Sequence, residues 1–485
     1  MTTVLHPRTQ GLSEAAVSDS TTTAAIPTYD RRALTRGAVH IGVGGFHRSH
    51  QAEYLDRLAR VRPSEGWGVI GVGLRRRKVI DALAAQDSLY TLVERDGSGD
   101  RARVIGTVVG CLFGPDDPSA VLAALTDPRT RLVTLTITDE AYVVDPDEPS
   151  AVFAYLVEAL ELRRRAAVPP FTVLSCDNMP SNGEAARRAV LSAARARSDV
   201  LAPWIEEAVA FPNSMVDRIT PETSAADRRR ICNATGLEDR VPVVTEAFTQ
   251  WIVEDDFCNV RPPLEEVGVQ FVADVEPYAL MKTRLLNGSH SAIGYLGHLA
   301  GHDRIDHALA DPLMQRYVRR LMSAEIARLL PPVPGIDLMQ YQESLLDRFR
   351  NPKIADRLCR LCRRGSAKVP AYVLPSISEA REEGRPHELL TLAVAAWLRY
   401  LRGVDHRGEP FHVEDAHAHE LRPLALRAAV DARPILHRRD LFGELGRDPE
   451  FADAVQAALA SLDRNGVRGA LRTVLEGEPS RALAA

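Results

Sequence analysis

Ala38-Val39-His40-Ile41-Gly42-Val43-Gly44-Gly45-Phe46-His47-Arg48 reads as a short apolar strand running into a glycine-rich turn. Residues 49–60, with Ala52, Leu55 and Leu58 on one side, predict the helix that follows. In such a strand, turn and helix the glycines permit a tight bend, and N–H groups at the helix N-terminus can meet a pyrophosphate. The contacts would come from Gly42, Gly44, Gly45, Phe46, His47 and Arg48. His47 stands where a third glycine usually lets helix and strand pack closely, so the turn alone does not separate a dinucleotide site from an ordinary glycine turn.

Gly68-Val69-Ile70-Gly71-Val72-Gly73-Leu74 lies where the second strand of a dinucleotide fold is expected, with its end towards the adenosine ribose. An acidic residue there would accept hydrogen bonds from the 2'-hydroxyl of NAD, but this chain has Arg75-Arg76-Arg77-Lys78. Arginine grips phosphate through charge-assisted, often bidentate hydrogen bonds, so Arg75 and Arg76 lean towards the 2'-phosphate of NADP. The alternative is a solvated basic first turn of the next helix. Further strands are expected at 90–94, 103–109, 132–138 and 171–176, alternating with helices such as 79–86 and 119–125. Such alternation implies an α/β Rossmann-type domain with a doubly wound, mainly parallel sheet.

The strand at 171–176 delivers Asp177-Asn178 at its carboxyl end, the edge where such sheets bind ligands. Asn178 could donate an amide N–H to a substrate oxygen, or cap the helix that starts near Gly183. Val216-Asp217-Arg218 likewise ends an apolar run in a carboxylate beside an arginine, a ligand group or a structural ion pair.

After about residue 280 the strand signals fade, and amphipathic helices follow at 313–330, 337–349 and 389–401. A helix over 354–363 leads to a turn at Arg364-Gly365-Ser366-Ala367-Lys368 that gathers cations. The division expected is a flexible Ser/Thr-rich leader over 1–36, a dinucleotide-binding domain over 37–280 and a mostly α-helical C-terminal substrate domain over 281–485. At that second boundary lies Tyr278-Ala-Leu-Met-Lys282-Thr-Arg-Leu-Leu-Asn287-Gly-Ser-His290, a segment flanked like a buried helix. Helical spacing sets Lys282 above Leu286, with Asn287 and His290 within two turns. Burial disfavours an ammonium, so Lys282 can become the neutral amine that a general base requires. The competing reading is a snorkelling lysine beside a helix amide and a core histidine.

With 485 residues, 45% of them hydrophobic, the chain is long enough for two or three domains. A net charge of -5 argues against nucleic acid or an anionic membrane as partner. No apolar run reaches the ~18 residues of a bilayer span, and no signal-peptide core is seen, which predicts a cytoplasmic protein. The six cysteines are scattered; Cys359 and Cys362 alone make a CxxC, and no second pair completes a zinc site.

Together these residues resemble the mannitol 2-dehydrogenase family, the polyol-specific long-chain dehydrogenases. The matching pieces are His40-Ile-Gly42-Val-Gly44-Gly45-Phe46-His47-Arg48-Ser-His50-Gln51, Ser175-Cys-Asp177-Asn178-Met-Pro-Ser-Asn182-Gly183, and Phe211-Pro-Asn213-Ser-Met-Val216-Asp217-Arg218. Lys282 with Asn287-Gly-Ser-His290, Arg360, and Gly365-Ser-Ala-Lys368 complete the likeness, which runs from about Gly37 to Leu471. The resemblance implies a metal-independent secondary-alcohol dehydrogenase that interconverts mannitol and fructose, using NAD by family habit or NADP by the basic segment. It implies Lys282 as general acid/base, Asn178 and Asn287 as donors that polarise the reacting oxygen, and His290 as an orienting partner. Val216, Asp217, Arg360 and Lys368 would bind the rest of the polyol. Thr138-Asp139-Glu140-Ala141-Tyr142 departs from the family's Thr-Glu-Gly-Gly-Tyr, and Thr138 and Asp177 would help seat the cofactor. A carboxylate of close relatives is Ala279 here. The expected partners are a small polyol or ketose, and the assembly a monomer or small homo-oligomer.

Three other readings stay open. A fructuronate or tagaturonate reductase, or an arabinitol dehydrogenase, of the same family would use the same machinery. Tyr278-x-x-x-Lys282 also matches the pair of short-chain dehydrogenases. A non-catalytic nucleotide-binding protein would bind cofactor without turnover.

Overall fold

The computed structural model describes residues 9–19, 22–63, 67–143, 150–405 and 407–476. These fall into two compact units that divide at Glu276/Pro277.

Apart from a pair of two-residue strands, the strands described in the first unit are, in chain order, β1 (Arg36–Ile41), β2 (Gly68–Gly73), β3 (Tyr90–Asp96), β4 (Gly99–Ile105), β5 (Val108–Phe113), β6 (Leu132–Leu135), β7 (Thr172–Ser175), β8 (Ser214–Asp217), β9 (Val243–Glu246), β10 (Gln250–Glu254) and β11 (Gln270–Val272). Five of them form a parallel sheet in the order β5-β2-β1-β6-β7. Val39, Ile41, Val133, Leu135 and Val173 pack with helices on one face, while Ala38, Leu132 and Leu174 pack with Leu55, Leu58 and Trp251 on the other. Alternate side chains thus leave on opposite faces and both faces are covered, as in a doubly wound sheet. The chain steps outward from β1 through β2 to β5, then returns to β6 on the other side. The switch point therefore lies between the carboxyl ends of β1 and β6, where such sheets bind ligands.

Two expected strands have a different setting. The run expected at 103–109 is broken at Gly106-Thr107: its first part, β4, forms an antiparallel hairpin with β3, and only β5 joins the main sheet. β9 extends the hairpin, and β11-β10-β8 make a third sheet. Apolar alternation predicts a strand but not which sheet receives it. The helix expected at 49–60 is α2 (Gln51–Val61), and the end of the expected glycine turn forms a short helix of its own, α1 (Gly45–Ser49), separated from α2 by a bend at His50.

The leader is not loose where it is described, although residues 1–8, 20 and 21 lie outside the described residues. Gln10–Gly11 pairs in parallel with Leu237–Glu238, and Leu12 is buried. Arg31 donates to the carbonyls of Gly106, Asp87 and Val108 at 2.8–3.0 Å. The leader's apolar anchors, Leu12, Ala24, Tyr29 and Leu34, are single residues scattered along a polar stretch, so they leave no apolar periodicity to read.

The second unit is helical. It contains α3 (Ser289–Leu299), α4 (Leu338–Phe349), α5 (Leu358–Cys362), α6 (Gly365–Tyr372), α7 (Glu388–Tyr400) and a C-terminal segment, Pro449–Glu476, broken at Gly466. The expected helix over 354–363 is shortened to α5, and the expected turn at 364–370 is α6, entered through Arg364 in left-handed backbone and containing Pro370. α3 presents Gly294 and Gly297 to α5. A Cβ on Gly297 would lie 2.8 Å from Leu358 Cδ1 and 3.1 Å from Ala308 Cβ, so a side chain there requires Leu358 to shift.

Candidate active site

The glycine turn is built around one strained residue. Gly42 has φ 106°, and a Cβ there would sit 2.1 Å from the Thr136 carbonyl. Its own carbonyl accepts from Thr136 Oγ1 at 2.7 Å, and His40 Nε2 lies 3.1 Å away. His40 also meets Thr134 Oγ1 at 2.7 Å, and its ring stacks on His47 with centroids 3.4 Å apart. Burial pushes the His40 imidazole down to about 3 and that of His47 well below its usual value, so both are neutral props beneath the turn.

Several expected cofactor contacts therefore turn inward. The side chain of His47 is buried. Arg48 donates to the carbonyls of Gly44, at 3.2 Å, and Val241, and lies over the Tyr90 ring. Phe46 stacks on His50. What this turn offers a ligand is backbone, and around Gly44 and Gly45 no protein atom would approach an added Cβ within 3.8 Å. Such a cradle fits a dinucleotide pyrophosphate. Beyond β2, Arg75 and Arg76 are exposed, whereas Arg77 pairs with Asp81 and Asp116.

At the carboxyl end of β7 the Asp177 carboxylate accepts from the backbone N–H groups of Ile137 and Thr138 at 2.9 Å and from Tyr142 Oη at 2.7 Å. Burial raises its pKa, with these hydrogen bonds opposing the shift. Asn178 follows, exposed. Asn182 bonds the Asp177 and Ser214 carbonyls at 3.0 and 2.9 Å, joining this loop to β8, where Val216 and Asp217 are buried. Arg218 has the structural role weighed for it: fully buried, it pairs with Glu94 at 2.5 Å and Glu53 at 3.6 Å.

In the helical unit, Lys282 opens a π-helical turn, Lys282–Gly288, that leads into α3. The sequence reading assumed α-helical spacing, which would leave Asn287 about 140° around the axis from Lys282. With i→i+5 bonding the two stand one turn apart on one face. Lys282 and Asn287 are both buried. Asn287 Nδ2 and His290 Nε2 are buried without a hydrogen-bond partner. Burial first, then the charges of Arg360, Arg348, Lys368 and Lys282, keep His290 neutral by holding its pKa well below the usual value. Its ring lies 4.6 Å from Phe349. Arg360 forms a bidentate pair with buried Asp356, and Lys368 Nζ donates to the Leu361 carbonyl at 3.1 Å. Burial and the neighbouring Arg360 lower Lys368 to about 8. Tyr278 Oη is committed to the Pro334 carbonyl at 2.9 Å, which removes the reason to read Tyr278 and Lys282 as a short-chain dehydrogenase pair.

The structure thus collects Lys282, Asn287, His290, Arg360 and Lys368 in the helical unit, and the glycine turn, Arg75, Arg76, Thr138, Asp177, Asn178, Val216 and Asp217 in the other. Sequence reasoning missed Thr136, which no pattern marks, and Asp356, which stands four residues before Arg360 but just outside α5. Among the described residues no group of three or more His, Cys, Asp or Glu side chains is arranged to hold a metal.

The chain matches the mannitol dehydrogenase Rossmann domain over residues 36–266 and the mannitol dehydrogenase C-terminal domain over 274–463. It is 43% identical to mannitol 2-dehydrogenase of Phaeosphaeria nodorum over 471 residues, 92% of this chain and 82% of that protein. Among solved structures it is similar to the Pseudomonas fluorescens mannitol 2-dehydrogenase ternary complex with NAD and D-mannitol. There the TM-score is 0.90 at 40% identity, covering 97% of this chain and 100% of that one. A D-sorbitol dehydrogenase in substrate-free form follows at TM-score 0.84 and 34% identity, covering 95% and 100%.

Proposed function

The chain belongs to the mannitol dehydrogenase family, and from that premise we propose that it interconverts D-mannitol and D-fructose as an NAD(P)-dependent dehydrogenase that needs no catalytic metal. When bound, the dinucleotide supplies the nicotinamide ring for hydride transfer. The rest of the chemistry falls to this chain. Lys282 takes the proton of the substrate hydroxyl on oxidation and returns it on reduction, a task for which a buried amine is suited because burial favours its neutral form. Asn178 and Asn287 donate N–H groups to the reacting oxygen, and one such donor is worth about 10²–10³-fold in turnover. His290, neutral and with Nε2 unpartnered, orients substrate hydroxyls. Val216, Asp217, Arg360 and Lys368 hold the remaining polyol.

The observation that carries the proposal is the π-turn, which puts a buried lysine and a buried, unpartnered amide on one face. A uronate substrate would draw on the same cations, but Asp356 already matches the charge of Arg360, which favours the neutral polyol. Arg75 and Arg76 support NADP use beside NAD. The six unpaired cysteines support a reducing, cytoplasmic setting, and no described helix is long and apolar enough to cross a membrane. We assign small-molecule partners and a monomer or small homo-oligomer.

The test is fructose reduction with NADH and NADPH in parallel, beside Lys282→Ala, beside fructuronate and tagaturonate as competing substrates for reduction, and beside oxidation of mannitol and arabinitol with NAD+ and NADP+. Fructose turnover lost in the variant is expected. Turnover confined to a uronate or to arabinitol would move the chain to those branches, and full activity of the variant would remove the lysine mechanism. Arg75→Ser with Arg76→Ser should raise the KM for NADPH about 10-fold more than that for NADH, since a lost charge-assisted contact costs roughly 1.5–3 kcal/mol. Equal effects on both cofactors would mean that these arginines do not meet the 2'-phosphate.

A further inference from the structure

Thr138, just beyond β6, has φ 74° and ψ 150°. Residues other than glycine occupy this region only when their surroundings force them, and such outliers cluster where a ligand is handled. Thr138 is exposed, and its backbone N–H donates to the Asp177 carboxylate. Asp177 accepts the N–H of Ile137, the N–H of Thr138 and the hydroxyl of Tyr142, which also contacts Ser175 Oγ at 2.7 Å. Three donors in one segment thus use most of what a carboxylate can accept. Asp177 is turned into the protein, with little acceptor capacity left for a ligand.

The position of this segment gives the strain a purpose. The glycine turn follows β1, and the basic segment that would meet the adenosine end follows β2, on one side of it. A dinucleotide laid across the switch point with its pyrophosphate at Gly42 then has its nicotinamide end beside β6, where Thr138 lies.

We infer that Asp177 is a positioning residue that holds the backbone of Thr138 in a strained conformation needed to seat the nicotinamide half of the dinucleotide. The inference rests on the dinucleotide reading of this unit and reassigns Asp177 from cofactor contact to support. It also states what matters at Thr138: the path of the backbone, not the hydroxyl.

The test uses the full-length protein and four forms: wild type, Asp177→Asn, Thr138→Gly and the double variant. Glycine adopts the conformation without the steric cost, so it needs no support. NADH affinity, measured by fluorescence titration, should fall about 10-fold in Asp177→Asn, equivalent to ~1.4 kcal/mol. In the Thr138→Gly background the same Asp177→Asn change should cost less than roughly 3-fold, so that the double variant binds NADH more tightly than Asp177→Asn alone. The KM for polyol at saturating dinucleotide should change less than about 3-fold throughout. Tyr142→Phe removes one donor from Asp177 without touching the segment's backbone, and should weaken NADH binding less than Asp177→Asn does. Melting of the ligand-free forms provides a second readout: the loss of Tm in Asp177→Asn should be largely repaired by adding Thr138→Gly. Unchanged NADH affinity in Asp177→Asn, or no recovery of affinity and Tm in the double variant, would overturn the inference. A wild type that binds no NADH, with the Tm repair still present, would instead overturn the dinucleotide reading while leaving the support of Thr138 by Asp177 intact.

Discussion

Replacing Lys282 separates two properties that its side chain combines, a nitrogen able to accept a proton and a positive charge. Lys282→Arg keeps the charge, but a guanidinium does not deprotonate near neutral pH. Both Lys282→Arg and Lys282→Ala should therefore lose about 10²–10⁴-fold in kcat, with NADH affinity unchanged. An arginine variant retaining more than a tenth of wild-type turnover would mean that charge, not proton transfer, is what this position supplies. Lys368 makes the opposite kind of prediction, one about stability. Below about pH 8 its ammonium is present in the folded and the unfolded chain, and the cost of burying it is borne in full. Between about 8 and the ordinary 10.5 only the unfolded chain holds the proton, so this group makes stability rise with pH; above 10.5 the cost is gone. Lys368→Met should thus be more stable than wild type at pH 7, by at most about 3 kcal/mol, and by less to the extent that solvent reaches the ammonium. The advantage should shrink towards pH 10.5 in denaturant titrations, and a difference independent of pH would rule the assignment out.

At the scale of elements, what the sequence reveals depends on whether a structural feature leaves a periodic trace. β1, β2 and the helices at 338–349 and 388–400 do: the strands and the 388–400 helix are apolar runs buried along almost their whole length, and the 338–349 helix buries helically spaced residues. The π-turn does not: Lys282, Asn287 and His290 were legible as candidates by residue type and by resemblance, but the apolar residues around them are compatible with plain α-helix. The difference matters to the chemistry, since one residue of π register rotates everything before it relative to α3. Inserting an alanine after Thr283 should carry Lys282 away from the face of Asn287, since six residues of α-helix set the two about 240° apart around the axis. We expect kcat to fall at least ~100-fold, as for loss of an oriented catalytic group, with the helical content of the protein retained by circular dichroism. An insertion variant with normal turnover would show that the register is incidental. Gly297 tests the neighbouring contact, because Gly297→Val must displace the Leu358 side chain and crowd Ala308, straining the packing of α5, which carries Arg360, on α3. Overpacking of this kind costs about 1–3 kcal/mol, and a rise in polyol KM larger than that in NADH KM should accompany the drop in Tm.

Across the whole molecule, the order of elements was legible because a chain that alternates strand and helix and then becomes all-helical has few ways to bury its apolar faces. The inward orientation of His47, Arg48 and Asp177 was not, because a motif lists residues without saying which of their atoms face a ligand. That distinction has a consequence for where ligands act. If the glycine turn and the Thr138 segment take the dinucleotide, and the π-turn and α5–α6 take the polyol, each ligand has its own signature in hydrogen exchange. NADH alone should slow exchange at 42–48 and 136–142, where backbone N–H groups and the Asp177 support are engaged. Adding a polyol or ketose that forms a non-productive complex with the bound cofactor should add protection at 282–290 and 358–368. The stabilisation by each ligand should follow mass action, about 2.7 kcal/mol at a concentration 100 times its Kd, so protection must scale with occupancy. Protection by NADH that began in the helical unit and spared the glycine turn would contradict the division of labour on which the proposed function rests. Protection at the turn without any polyol response at 282–290 would leave a nucleotide-binding protein and remove the enzyme.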